Sequence, residues 1–294
     1  MIDQNILLSE MDRKIMNKGI RNIVIFAVVT AASGFFGAFI NSLVQPMDPM
    51  QSPGILIWLV APFVTNLLLR SLGKDGWKDF GLRLHIRTSW KWYLAAILIV
   101  PAITLVNSGL SVLFGAATIP GLTKDSINIF LSLFIFGLTG SMVKNIFEEF
   151  SWRGYLTPQL HSLKANAFTN SLITGLIWAS WHIPYYLYFL NPSELQKQTT
   201  MGVTGIIISS FFLLPFQAFA YGELRLLARS VWPAWLLHTI ANAVSYALIA
   251  GGFIVLSRDI RSIILTPGTE GILYSVLMGA IGFFLYRTRV RKAA

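Results

Sequence analysis

The chain lacks cysteine altogether, and few of its 294 residues carry a charge. Without cysteine, neither disulfide bonds nor thiolate catalysis is available. Charged residues make up 12% of the chain, whereas soluble domains have roughly 25%. The hydrophobic content of 54% and the mean hydropathy of +0.62 therefore predict an integral membrane protein with several spans in one domain.

The positive charge of the chain is spread along the sequence. The formal net charge is +10, which on a soluble protein would suggest a nucleic-acid partner. Here the basic residues flank apolar segments and form no compact patch, so we expect no nucleic-acid partner and regard the lipid bilayer as the partner of these residues.

Eight apolar segments have roughly the 20 residues that a helix needs to cross a bilayer. Within lipid each segment must satisfy its own backbone hydrogen bonds, so the segments are predicted to be helices. The predicted fold is an all-α membrane protein with about eight transmembrane helices. The predicted spans are 23–44, 54–72, 92–114, 127–155, 168–190, 202–220, 231–256 and 271–286, and Pro158 is expected to end the fourth helix.

The distribution of Lys and Arg predicts the orientation of these spans. On this map the loops opposite the termini contain only Lys124, Lys197, Arg258 and Arg261, and one further cation, Lys144, lies within a span. All the other Lys and Arg lie on the side of the termini. Because basic residues concentrate on the cytoplasmic side, both termini are predicted to be cytoplasmic. The absence of cysteine and the short loops favour a bacterial cytoplasmic membrane as the location.

Three regions follow from this map. Residues 1–22 are predicted to be a cytoplasmic amphipathic segment, residues 23–286 a single polytopic transmembrane domain, and residues 287–294 a basic cytoplasmic tail. No cleavable signal peptide is evident, so we expect the first span to remain as an anchor. The apolar face of the N-terminal segment would consist of Ile6, Leu7, Leu8, Met11 and Ile15.

A cluster of charged residues follows a long apolar run in the fourth span. A charge at the centre of a membrane helix costs about 2.5–3.5 kcal/mol, so this cluster must be paired or face a wet cavity. Glu149 and Arg153 are four residues apart, share a helix face and can form an ion pair. Glu148 lies about 100° around the helix and has no obvious local partner, which makes it the candidate for chemistry. Lys144 is expected to extend toward the bilayer surface or to pair with a lipid headgroup.

Two histidines and an amide lie in other spans at depths that overlap with Glu148. Histidine is suited to proton transfer near neutral pH, so Glu148 and His182 could hold and deprotonate a water molecule. His238 and Asn242 are four residues apart and could donate hydrogen bonds to an oxyanion. Alternatively, Glu148, His182 and His238 match the ligand count of a zinc site, although no HExxH helix is present.

These residues resemble the glutamate intramembrane proteases, known as the CPBP or Abi family, which includes the type II CAAX prenyl endopeptidases and bacteriocin immunity proteins. Glu148-Glu149-x-x-x-Arg153 is similar to the EExxxR motif, and His238-x-x-x-Asn242 to HxxxN. Trp178 stands four residues before His182, where the family usually has Phe. The stretch from Arg225 to Ala234 and the tripeptide Gly81-Leu82-Arg83 are also similar.

The resemblance implies an eight-helix fold, water activation by Glu148 and His182, and an oxyanion hole of His238 and Asn242. From their predicted ion pair, Glu149 and Arg153 are expected to hold the site together. The resulting prediction is an intramembrane endopeptidase without a cofactor, zinc being the alternative. It would hydrolyse a membrane-associated peptide or protein within the bilayer or at its cytoplasmic side.

Other interpretations remain open at this point. The Glu148 cluster could be a structural ion pair, and His238 with Asn242 could be polar contacts between helices. The protein could then be a non-catalytic immunity or scaffold protein. A transporter ranks last, because the sequence shows no internal repeats.

Overall fold

The computed structural model describes residues 4–293, with side chains described for 16–197 and 199–292. The described chain is predominantly helical and forms an all-α membrane protein, with one short two-stranded pairing between loops. The helices are α1 (Gln4–Val44), α2 (Pro53–Ser71), α3 (Ile86–Leu113), α4 (Ser126–Ser151), α5 (Thr157–Ser162), α6 (Ala167–Pro184), α7 (Pro192–Gln198), α8 (Gly202–Ala228), α9 (Trp232–Ser245), α10 (Ile260–Leu265) and α11 (Ile272–Ala293).

Each of the eight predicted spans overlaps a helical segment. Among the described residues, six helical segments are by themselves long and apolar enough to cross a membrane: Met16–Val44, Pro53–Ser71, Ile86–Leu113, Ser126–Ser162, Gly202–Ala228 and Trp232–Ala250. The other two predicted spans correspond to α6 and α11, which are more polar. Helix α6 contains Asn170 and His182, and α11 becomes basic from Arg287 onward. The count of eight and the orientation of the termini stay predictions.

The strands β1 (Ala117–Thr118) and β2 (Val255–Leu256) pair antiparallel. Strand β1 belongs to the loop after α3. Strand β2 lies where the seventh span was expected to continue to residue 256, but that helical segment ends at Ala250, before Gly252 with its left-handed φ of 72°. The span map places the ends of both helices on the same side of the membrane. The pairing therefore joins two loops that the predicted topology also brings together.

The fourth membrane helix is longer than the sequence predicts, because Pro158 does not end it. Helix α4 continues through a π-helical turn, Trp152–Leu156, directly into α5. In this turn the Thr157 N–H bonds to the Trp152 carbonyl, five residues back. Pro158 then occupies the first turn of α5, where a missing N–H is tolerated. As a result Glu148 lies well inside the helical segment.

The regions predicted for the two ends of the chain have no helix boundary. Helix α1 runs unbroken past residue 22, and α11 continues through the basic residues after 286. The side chains of the predicted apolar face at Ile6, Leu7, Leu8, Met11 and Ile15 lie outside the described residues.

Close helix contacts depend on small residues, as is common in membrane proteins. A Cβ on Gly175 of α6 would lie 2.4 Å from the backbone of Pro215 in α8. A Cβ on Gly37 of α1 would lie 2.3 Å from the carbonyl oxygen of Gly54 in α2. These approaches hold the helices that surround the site close together.

A polar layer on the side of the termini fixes the π-helical turn in place. Arg70 of α2, whose side chain is fully buried, donates to the Gly154 carbonyl and pairs with Asp79 at 2.7 Å. Arg225 of α8 donates to the carbonyls of Arg153, at 2.9 Å, and Asp79. The two arginines therefore attach the loop after α2 to the helical segment that carries the glutamates.

Candidate active site

The ion pair predicted between Glu149 and Arg153 is present and completely buried. Arg153 Nη1 donates to Glu149 Oε1 at 2.9 Å, and both side chains are 0% exposed. The guanidinium lies over the rings of Trp178 and Tyr221, at 4.6 and 4.5 Å from their centroids. These two cation–π contacts and the carboxylate offset part of the cost of burying the charge, whereas Arg153 Nε and Nη2 have no hydrogen-bond partner among the described residues.

Glu149 also orients one of the two histidines. His238 Nδ1 lies 2.8 Å from Glu149 Oε1. An ionised carboxylate only accepts hydrogen bonds, so Nδ1 carries the proton and Nε2 is left for another partner. A neutral His238 would present Nε2 as an acceptor, and only protonated His238 would donate from it. The predicted supporting residue Glu149 thus contacts the predicted oxyanion residue directly.

Glu148 has partners that the sequence interpretation did not assign, so the prediction that it lacks a local partner is wrong. Lys144, one turn earlier on α4, donates to Glu148 Oε1 and forms an ion pair with it. Trp178 Nε1 donates to Oε2 at 3.2 Å. The expectation that Lys144 extends toward the bilayer surface is also wrong, because a buried carboxylate one turn away offers it a closer counter-charge.

His182 belongs to the same group of side chains. Its Nδ1 lies 2.9 Å from the Trp178 carbonyl oxygen. A carbonyl can only accept, so Nδ1 is protonated and Nε2 of the neutral ring carries the lone pair. The Trp178 ring centroid is 6.0 Å from that of His182 and 5.5 Å from that of His238. Trp178 therefore contacts Glu148 and packs beside both histidines.

Asn242 is held by a residue that the sequence interpretation missed. Its Nδ2 donates to Asn145 Oδ1 at 3.3 Å, and Asn145 Nδ2 lies 3.4 Å from Thr239 Oγ1. Asn145 lies next to Lys144 on α4 and is fully buried. It links α4 to the helix that carries His238 and Asn242.

A cavity of about 540 Å³ extends from this group of residues. Its lining includes Lys144, Trp178, His182, His238 and Asn242, whereas Glu148, Glu149 and Arg153 lie behind these residues. From the histidines the cavity extends toward the ends of the helices opposite the termini, where it reaches Met50 and Glu270 in the loops. The arrangement places the site at one end of a cavity between membrane helices.

The described residues do not form an obvious metal centre. Among them, no group of three or more His, Cys, Asp and Glu is arranged to hold a metal ion. The alternative zinc set of Glu148, His182 and His238 would require a cation next to the Lys144 ammonium, which already neutralises Glu148. The electrostatics therefore do not favour a divalent ion at this carboxylate.

Two of the missed contacts had a signal in the sequence. Lys144 and Glu148 have the same four-residue spacing as Glu149 and Arg153, so both ion pairs follow from helix geometry. The role of Trp178 was partly visible, since it occupies the aromatic position of the second motif. Asn145 and Tyr221 had no such signal, because their contacts depend on helix packing.

Comparison with known proteins agrees with the motifs. Residues 130–244 match a family model described as Rce1-like, type II CAAX prenyl endopeptidase Rce1-like. This stretch contains all seven residues of the three motifs: Glu148, Glu149, Arg153, Trp178, His182, His238 and Asn242. No curated protein matches the chain. The match supports the assignment to the CPBP family that the motifs indicate.

Proposed function

We propose that this multi-pass membrane protein, whose motif region is that of a type II CAAX endopeptidase-like protein, is a peptidase that hydrolyses a membrane-associated or hydrophobic peptide or protein. One observation carries the proposal. A buried carboxylate and two imidazoles lie around Trp178, beside a cavity between apolar helices. A bacterial cytoplasmic membrane is the proposed location.

Water activation is proposed for Glu148 and His182. His182 Nε2, which lines the cavity side of the site, accepts a hydrogen bond from water, while a proton of that water passes to Glu148. The hydroxide adds to the carbonyl carbon of the peptide bond, and the proton is later delivered to the leaving amine. For Glu148 to take part, its contact with Lys144 or Trp178 must lengthen when substrate binds, since the carboxylate is only 1% exposed.

Stabilisation of the oxyanion is proposed for His238 and Asn242. Asn242 can donate at any pH, and Asn145 fixes the orientation of its amide. His238 can donate from Nε2 only when it is protonated, and Glu149 would stabilise that imidazolium through Nδ1. Glu149 and Arg153 thus support the site without contacting the reacting atoms.

We further propose that the reaction needs no metal, because Lys144 supplies the positive charge beside Glu148. Activity in the presence of EDTA tests this proposal directly. Unchanged activity is expected, and a loss that zinc restores would contradict it.

The test of the main proposal is cleavage of hydrophobic peptides by the purified protein in detergent. Glu148→Gln keeps the shape of the side chain but removes its base, and a loss of at least about 100-fold in kcat is expected. Glu194→Gln is the matched control, because the Glu194 side chain is 43% exposed and, within the described part of the chain, its one ion pair is with Lys197. Retention of full activity by folded Glu148→Gln would refute the proposed mechanism.

A second candidate is a non-catalytic membrane protein that binds a peptide. The observation that favours it is that both carboxylate oxygens of Glu148 are already engaged, by Lys144 and by Trp178. Under this alternative, Glu148→Gln would leave the binding of a hydrophobic peptide intact, and the wild-type protein would not cleave that peptide.

A further inference from the structure

The end of the cavity away from the histidines carries a carboxylate for which the proposed reaction has no use. Glu270, in the loop before α11, lines the cavity together with Lys144, His182 and His238, and of the described lining residues it is the one with a carboxylate. Its Oε1 accepts a hydrogen bond from the Thr269 hydroxyl at 2.9 Å. Among the described residues, no Lys, Arg or His nitrogen lies within 4.0 Å of this carboxylate.

The charges of the cavity are therefore unbalanced. At the end with the histidines, Lys144 neutralises Glu148, and Arg153 neutralises Glu149 behind it. At the other end, burial raises the pKa of the Glu270 carboxyl, so a cation bound beside it would favour the ionised form. A half-buried carboxylate without a counter-charge is a site that a cationic ligand group can complete.

The neighbouring side chains also suit a cation. Tyr185 and Tyr186 line the cavity, and the Tyr186 ring stacks on His182 with centroids 5.8 Å apart. Aromatic faces attract the ammonium and guanidinium groups of basic side chains. The cavity thus has tyrosine rings beside the proposed catalytic histidine and a carboxylate beyond them.

The distance between the two ends follows from α9. His238, Asn242 and Ser245 line the cavity, and their spacing places them on one face of the helix. Ser245 Oγ and Glu270 Oε2 are near neighbours, because they lie 3.4 and 3.2 Å from the point where a Cβ on Gly268 would stand. From His238 to Ser245 the helix rises about 10 Å, at about 1.5 Å per residue.

We propose that Glu270 is a specificity subsite for a basic side chain of a hydrophobic peptide, about three residues from the cleaved bond in an extended substrate. The position relative to the cleaved bond rests on the proposed function, whereas the binding of the basic group does not. The substrate class is then an apolar peptide with a Lys or Arg near the cleavage site.

Binding tests this subsite independently of cleavage. The probe is a dansyl-labelled hydrophobic peptide with either one Lys or one norleucine, added to the full-length protein in neutral dodecyl maltoside micelles. N-methylated amide bonds keep the peptide intact, so the ion pair of Lys144 and Glu148 is retained and no free cation is added to the cavity. We expect the Lys peptide to bind about tenfold more tightly than the norleucine peptide. In Glu270→Gln the ratio of the two dissociation constants should fall to about one.

Charge reversal provides the second measurement. Glu270→Lys should prefer a peptide with Glu over one with Lys, whereas the exposed control Glu194→Gln should keep the original ratio. Equal binding of the Lys and norleucine peptides to protein that retains Glu270 would overturn the proposal. The proposal would also be overturned if Glu270→Gln left the ratio of the two peptide affinities unchanged. If Glu270→Gln fails to fold, the comparison of the two peptides on protein with Glu270 still decides.

The two proposals can fail separately. A Lys preference without any cleavage by the wild-type protein would support the subsite and count against the peptidase. Cleavage of the unmethylated Lys and norleucine peptides with equal kcat/KM and equal affinity would support the peptidase and refute the subsite.

Discussion

The ion pair between Lys144 and Glu148 gives the most direct prediction of stability, and its perturbation is Lys144→Met. Two unit charges in contact, about 3 Å apart, attract by roughly 5–6 kcal/mol at an effective dielectric constant of about 20. The Lys144 side chain is 38% exposed and that of Glu148 1%. Because water screens the exposed partner, we discount the attraction to a coupling free energy of about 2 kcal/mol.

A double-mutant cycle isolates this coupling. The free energy of unfolding is measured in mixed micelles by titration with SDS, for the wild type, Lys144→Met, Glu148→Gln and the double variant. Each single variant should be destabilised by about 2 kcal/mol, and the double variant should be no less stable than either.

The chain offers a matched control for this cycle. Lys197 and Glu194 form an ion pair at 2.8 Å, but their side chains are 50% and 43% exposed. The same cycle with Lys197→Met and Glu194→Gln should give a coupling of at most about 0.5 kcal/mol. Additive effects at Lys144 and Glu148, with a coupling no larger than that of the control, would refute the assigned ion pair.

Three further variants test contacts around the site. Arg153→Lys keeps the charge but loses the planar guanidinium that contacts Glu149 and the rings of Trp178 and Tyr221. The free energy of unfolding should fall by about 2–3 kcal/mol. An unchanged free energy would contradict the assigned ring contacts. Asn145→Leu removes the hydrogen-bond partner of Asn242. The kcat for peptide cleavage should fall about tenfold at constant KM. A change in KM alone would contradict a role of the Asn242 amide in the transition state. Gly175→Ala inserts a methyl group at the contact between α6 and α8, and should destabilise by about 1–3 kcal/mol; unchanged stability would show that the helices can separate.

The sequence is a good guide to the helices and to the motif residues. Apolar length predicts where the membrane helices lie, because a backbone in lipid has no other partners for its hydrogen bonds. Four-residue spacing predicts the pair of Glu149 and Arg153, because it depends on local helix geometry alone. The structure bears out both predictions.

The sequence is a poor guide wherever a tertiary contact overrides a local rule. Proline normally ends a helix, yet the helical segment continues through Pro158, because the π-helical turn before it shifts the backbone hydrogen bonds by one residue. Arg70 and Arg225, from other helices, donate hydrogen bonds to carbonyl groups of that turn. The contact between His238 and Glu149 joins α9 to α4. Neither sequence spacing nor hydropathy encodes such a pairing.

The two adjacent glutamates illustrate how helix geometry divides chemistry from support. Lys144 with Glu148 and Glu149 with Arg153 are two successive i,i+4 pairs. Their glutamates are adjacent, so the two carboxylates leave the helix about 100° apart. One pair reaches the cavity through Lys144, which is 38% exposed, and the other is fully buried. Only the first pair can exchange its contact for water or substrate at low cost, because opening the second would leave an unpaired charge in the core. The same spacing therefore gives Glu148 a contact that can be released and Glu149 one that cannot, which is the division of roles that the proposed reaction requires.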